Sequence, residues 1–322
     1  MRQLEITTAA GGTASANYLN EGDPPWFTLG LSLAGATEAK EAAVLAGMDW
    51  TVSKAPLYLV PPEADENINT FLRKVPGVWA TVRDDKADGR NVLGIVRSRY
   101  APIQNRDLFQ IADQVLGQME GSAYHVGGMF QNGRRVWLML RLHPFIRVGD
   151  EYAGLYILIT TTHDASEAGR VIFVPVHDRT QSTLNVLHRH SALRIHHMGE
   201  LAWEATGAEI AAAATAAFTE TAEAFGKMGA VRVTPDSRAA YFRRVIPDST
   251  DTKTAVRTTN IRAIFEHLNT GYTVWSAYTA VAEFIDHVRL NRSSRDRRLI
   301  SSWFGSGRDL RDRALKHALA LI

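Results

Sequence analysis

Arg135, Trp137, Met139, Arg141 and His143 occupy alternate positions, and Val136, Leu138, Leu140 and Leu142 fill the positions between them. Successive side chains of a strand point to opposite faces, so the run predicts one aliphatic core face and one cationic, aromatic face. Arginines that neutralise phosphates, set beside a ring that can carry a base, are the chemistry of single-strand nucleic-acid binding. Each stacked base there contributes about 1–3 kcal/mol. Arg134 adjoins the run, and Arg97 and Arg99 keep the same two-residue period on another predicted strand. Arg97, Arg99, Arg134, Arg135, Trp137, Arg141 and His143 are therefore the candidate nucleic-acid contacts. The competing arrangement packs Trp137 and Met139 beneath C-terminal helices and leaves the arginines as a rim. Residues Arg289, Arg292, Arg295, Arg297, Arg298, Arg308, Arg311 and Arg313 supply a second cationic stretch.

Glu283, Asp286 and His287 stand at i, i+3 and i+4 of a predicted helix, a spacing that di-iron and zinc sites use. Combined with His163 and Asp164 they define the alternative expectation, a metal-dependent nucleic-acid or nucleotide enzyme. With no second copy of the motif, an ion-pair network on the helix is the stronger reading. His163-Asp164 and His177-Asp178 each look like half of a histidine-aspartate phosphohydrolase site, but one falls in a predicted turn and the other at a strand end. His188-Arg189-His190 and His196-His197 sit among arginines that would repel a cation. The chain has no Gly-x-Ser-x-Gly, no phosphate-cradling loop with Gly-Lys-Ser/Thr and no dinucleotide fingerprint. No cofactor is expected, and neither is ATP hydrolysis through the usual loop; an enzyme reading rests on an unrecognised site. The absence of cysteine removes disulfides, thiolate metal sites and cysteine nucleophiles together.

Several elements must position these groups. Asn132-Gly133 predicts a tight hairpin turn inside three consecutive antiparallel strands over 124–162. Val78–Val82 and Val92–Tyr100 predict another hairpin, and Asn105 is expected to cap a helix that continues to Met119. Thr37–Ala46 reads as a short helix. The fold class is α+β: an antiparallel sheet built from a hairpin, a helix and three to four strands, followed by a mostly helical C-terminal half. The divisions are a flexible arm over 1–25, a sheet core over 26–198 and a helical region over 199–322. Within the last, Glu200–Lys227 predicts an Ala-rich rod of roughly 40 Å. Its narrow apolar stripe suits packing on another helix, in a second subunit or in the same chain. Further helices are expected near 235–245, 253–268, 273–290 and 308–320.

The net charge of +2 divides unevenly along the chain. Residues 1–88 carry 7 basic and 12 acidic side chains, whereas 289–317 carry 9 and 3. Such blocks permit head-to-tail assembly and polyanion binding. No secretory leader and no apolar run of membrane-spanning length is present, so a cytoplasmic protein without membrane contact is expected.

Pro25-Trp26, Ala46–Val52, Gly94–Val96, Arg99-Tyr100, Pro102–Asn105, Asn132–Trp137 and Thr162–Asp164 together resemble the phage/plasmid-like proteins classed as domain of unknown function 932. Val281–His287 and Trp303–Gly307 resemble the end of the same family. Ala165 stands where the family usually has Gly, and Thr180–Leu184 replaces a Cys-x-Asn-Thr-Leu pattern. The resemblance implies a phage, prophage or plasmid origin. The order hairpin, helix, three strands is also similar to annealing proteins of the RecT and Red-beta kind, which assemble as rings or filaments on single strands. From these readings the expected activity is ATP-independent binding and annealing of single-stranded DNA by a homo-oligomer.

Overall fold

The computed structural model describes residues 5–7, 13–15, 30–60, 72–86, 91–143, 146–148, 151–177, 193–195, 203–289 and 294–322. Two short strands, β1 (Glu5–Thr7) and β2 (Thr13–Ser15), pair antiparallel inside the expected flexible arm, most of which lies outside the described residues. Three antiparallel strands form a small sheet in the order β4 (Val52–Leu59), β5 (Arg73–Arg83) and β6 (Val92–Arg97). The larger sheet is built from β3 (Leu31–Ser32), β7 (Ala123–Phe130), β8 (Arg135–Arg141), β9 (Ile146–Val148), β10 (Glu151–Thr162), β11 (Gly169–His177) and β12 (Leu193–Ile195). Its order is β12-β11-β10-β8-β7-β3, with β9 also paired to β10. Eight helices are described: α1 (Ala39–Leu45), α2 (Asn105–Leu116), α3 (Trp203–Ala230), α4 (Pro235–Val245), α5 (Thr252–His267), α6 (Val274–Glu283), α7 (Arg295–Phe304) and α8 (Ser306–Leu319). None is long and apolar enough to cross a membrane. The fold is α+β, as the alternation of short strands and breaker-free runs predicts.

The alternation in β8 sorts the large sheet into two cores. Val136, Leu138 and Leu140 join Ile157, Ile159, Val171 and Phe173 beneath α1, α2 and the first half of α3. On the opposite face Trp137 and Met139 join Phe130, Tyr156, Leu158 and Ile172, under Leu299 and Trp303 of α7. A bulge between Tyr124 and Val126 lets β7 contribute Tyr124 to the first core and Val126 to the second. A third core lies among the C-terminal helices, where Phe225 and Met228 of α3 meet Tyr241, Phe265, Tyr278 and Leu315.

α3 therefore serves two cores of its own chain. Ile210, Ala214 and Ala217 pack on the sheet side, and Phe225 and Met228 pack among the helices. This answers the choice left by its narrow stripe in favour of intramolecular packing. Gly207 lets the helix approach α2 closely, since a Cβ there would come within 2.3 Å of Gln114 Cβ.

Local geometry departs from expectation at several ends. Gln104, not Asn105, is the N-cap of α2, in a capping box with Asp107. That frees the Asn105 side chain for a tertiary contact. Glu38 rather than Thr37 precedes α1. Gln131, Asn132 and Gly133 all have positive φ and make a short 3-10 turn instead of a two-residue hairpin loop. Beyond α6 the chain widens into a π turn over Phe284–Val288. α7 has no counterpart in the expected helices. Ser294 caps it, Asp296 favours its N-terminal dipole, and Leu299, Ile300, Trp303 and Phe304 form its apolar stripe.

Candidate nucleic-acid interface

Trp137 does not line a groove. It is fully buried, with its ring centroid 5.9 Å from Phe130 and 5.1 Å from Trp303. The stacking role expected for it is thereby corrected, because α7 covers this face of β8. Arg135 belongs to the rim of that packing: it pairs with Glu167 at 3.0 Å and lies 4.1 Å over the Phe304 ring. Arg134 is half-exposed, 3.9 Å from Asp164. Arg141 and His143 are exposed, but at the other end of β8, roughly 20 Å away at strand rise. Arg97 and Arg99 belong to the small sheet and its exit, not to the sheet that holds β8. The seven candidate contacts thus fall on separate surfaces.

The metal alternative is also corrected. Asp286 is buried and bonded to Arg311 and to the Ser302 hydroxyl at 2.9 Å. The π turn changes the side-chain spacing from Glu283 onward, and His287 faces solvent. Among the described residues no group of three or more His, Asp and Glu converges as a metal site. His177 lies at the end of β11, while Asp178, His188, His190, His196 and His197 lie outside the described residues.

Many residues that carried the family resemblance meet where the small sheet docks on the large one. His163 is fully buried, its Nε2 3.0 Å from Asn105 Oδ1, and its carbonyl accepts from the Thr81 hydroxyl at 2.6 Å. Asn105 Nδ2 donates to the Trp50 carbonyl, and the Trp50 ring meets His163 edge-on at 5.5 Å. Arg83 lies 4.0 Å over the other part of this knot, the Trp50 ring, and donates to the Asn132 carbonyl at 2.8 Å. The Gln104 side-chain amide pairs with both backbone groups of Val52, at 2.9 and 3.0 Å, like one more residue of strand. Tyr100 donates to the Thr162 carbonyl at 2.9 Å, and burial raises its phenol well above the ordinary value. Gly94 has no room for a side chain, since a Cβ there would come within 2.4 Å of Asp164 Cβ. With its polar atoms engaged in packing, this junction fixes the angle between sheets.

The junction positions an open surface at the far end of the small sheet. Residues 52–59, 73–83 and 92–99 contain Lys54, Arg73, Lys74, Arg83, Arg97 and Arg99 and no acidic residue. Arg83 closes the end nearest the junction with Asp85 at 2.6 Å, where Asp84 also bonds Thr51. At the opposite end Arg73, Lys74, Arg97 and Arg99 are exposed and form no ion pair among the described residues. Trp79 stands half-buried on the face it shares with Lys54 and Lys74, whereas Arg97, opposite Val78, is on the other face of the sheet. Lys74 Nζ lies 4.8 Å and Lys54 Nζ 5.7 Å from its ring centroid. Lys54 also donates to the carbonyls of Ser98 and Tyr100, at 2.8 and 2.9 Å. Arg99 sits between these two anchored residues and is held outward. Gly77, at φ 71°, turns β5, and its carbonyl accepts from Ser98 N at 3.2 Å.

Sequence reasoning missed Trp79, Lys74 and Arg73 at this site. The signal was present in the acid-free composition of 73–83, but Pro76 and Gly77 interrupt the alternation that marked β8.

The family model described as "Domain of unknown function (DUF932)" matches residues 92–303, about two-thirds of the chain. The chain belongs to this family. No curated protein and no solved structure matches it. In this DUF932 protein the match begins at β6 and ends at Trp303, so Arg97 and Arg99 lie inside it. Lys54, Arg73, Lys74 and Trp79 precede it.

Proposed function

We propose that this protein binds single-stranded DNA without sequence choice through the far end of its small sheet, and that it promotes strand annealing without ATP as a homo-oligomer. The observation that carries the reading is the set of four exposed cations at the far end of the small sheet, Arg73, Lys74, Arg97 and Arg99, with Lys74 over the Trp79 ring and no carboxylate on the same strands. Arginine and lysine contact successive phosphates, and a base displaces the exposed Lys74 ammonium from the Trp79 ring. The exchange is favourable: an exposed cation–π contact contributes about 0.5–1 kcal/mol and a stacked base about 1–3 kcal/mol. Contacts to backbone and ring face leave Watson–Crick edges free, which is what annealing requires. The likeness to RecT and Red-beta annealing proteins is part of this proposal and rests on element order alone.

Anisotropy of a labelled oligothymidylate titrated with the full chain tests the reading. Binding should be strong at low salt and weaken steeply as salt rises, because phosphate contacts release counterions. Arg97→Glu with Arg99→Glu, like Trp79→Ala, should weaken it at least tenfold. Absence of binding by the wild-type chain at low salt sinks the proposal. Light scattering and a complementary-strand annealing assay read the assembly and annealing parts separately.

A further inference from the structure

We propose that the adjoining ends of α4 and α8 form a second anion-binding surface, shaped for the phosphodiester backbone of a nucleic acid. Arg243 and Arg244 occupy the last turn of α4, and Arg313 and Lys316 lie one turn apart near the end of α8; all four are exposed. His317 completes the i, i+3, i+4 face begun by Arg313. The two helices are bound to each other here. Tyr241 donates to the Ala314 carbonyl at 3.0 Å, and Arg313 donates to the Val245 carbonyl at 3.2 Å.

This crowd of positive charge is only partly explained by the helices themselves. Each helix C-terminus carries roughly half a negative charge, so two ends offset about one of the four cations. Carboxylates nearby in the chain are engaged elsewhere: Asp312 pairs with Arg308 at 3.5 Å and Asp248 with Arg262 at 2.6 Å. The charges acting on His317, from Lys316 and Arg313 on its own helix and Arg244 on α4, are all positive. Burial, reinforced by these charges, holds its imidazole below the ordinary range. A chain of phosphates laid across the helix ends supplies the missing countercharge. The surface uses neither a ring nor a base edge, so it takes single or double strands alike and adds a grip separate from the small sheet.

The test compares the full-length wild type with Arg244→Glu/Lys316→Glu, Arg97→Glu/Arg99→Glu and the fourfold variant. Oligothymidylate binding is read across a salt series. The α4–α8 variant is expected to bind at least tenfold more weakly at low salt, with a salt slope smaller by about 1.4 for two lost phosphate contacts. Its unfolding temperature should not fall, because it relieves like-charge crowding. Binding equal to wild type with the same slope overturns the proposal. Inorganic polyphosphate, bound to wild type and monitored through His317 by NMR, separates this site from the small sheet. A rise of the His317 pKa on adding polyphosphate supports the site even where oligothymidylate fails to bind. No shift, or no polyphosphate binding, overturns it. Should the glutamate pair misfold, Arg244→Ala/Lys316→Ala is read by the same criteria.

Discussion

Trp303 meets Trp137 edge to face, with ring centroids 5.1 Å apart and planes at 80°. The contact joins the last turn of α7 to the middle of β8 and decides what the odd-numbered face of that strand is for. Both rings are almost fully buried, so their contribution is to packing. Trp303→Ala should destabilise the protein by about 3–5 kcal/mol, the usual cost of removing a large buried side chain. Denaturant unfolding measures it. Oligothymidylate affinity of the folded fraction should stay unchanged, which separates this face from the small sheet.

The close approach of β6 to the loop after β10 gives a second expectation. Gly94→Ala places a methyl group within 2.4 Å of Asp164 Cβ and 2.5 Å of its Cα, so the backbones must part. Forced overpacking of this kind costs about 1–3 kcal/mol. Hydrogen exchange should quicken at the amides of β5 and β6 while those of β8 and β10 remain protected. Equal protection in both sheets would show that the junction can yield without loosening the small sheet.

Arg311 and Asp286 make a third. Both side chains are buried, and the Ser302 hydroxyl bonds to each of them. Removing one partner leaves the other charge uncompensated in the core, at about 3–5 kcal/mol. Arg311→Met alone should therefore lower the unfolding midpoint sharply, and Arg311→Met with Asp286→Leu should recover most of the loss. A double variant no better than the single would contradict this account.

The fourth concerns pH. Burial, reinforced by Arg141, lowers the His125 pKa to about 4, beside the Tyr156 ring at 5.1 Å. The unfolded chain, with an ordinary value of about 6.5, takes up this proton first. Stability from His125 is thus complete above about pH 6.5 and is lost as pH falls toward about 4, by up to about 3 kcal/mol at the limit. Urea unfolding near pH 7 and near pH 4.5 measures the difference. His125→Phe should reduce that difference, and Arg141→Gln should shrink it by letting the imidazole charge more easily.

The strands and most helices were legible because their signals are local. The even positions of β8, the start of α4 at Pro235 and the span of α2 follow directly from period and punctuation. α7 was obscured because Arg295, Arg297 and Arg298 read as part of a second cationic stretch, although Leu299 and Trp303 keep helical spacing within it. That one element converts the face of Trp137 from groove to core, and only tertiary packing could report it. Asn105 was mistaken for a cap because its neighbour Gln104 serves instead. The cations of β5 went unread because their place in the sheet depends on strand pairing, which sets Lys74 opposite Tyr58 of β4 and Val78 opposite Arg97 of β6.

The 28 residues of α3 extend about 42 Å and contribute side chains to both the sheet core and the helical core. Such a member acts as a stiff lever between two fulcrums. A tilt of the helix where Ile210 and Ala214 rest on the sheet would therefore also displace Phe225 and Met228 in the helical core.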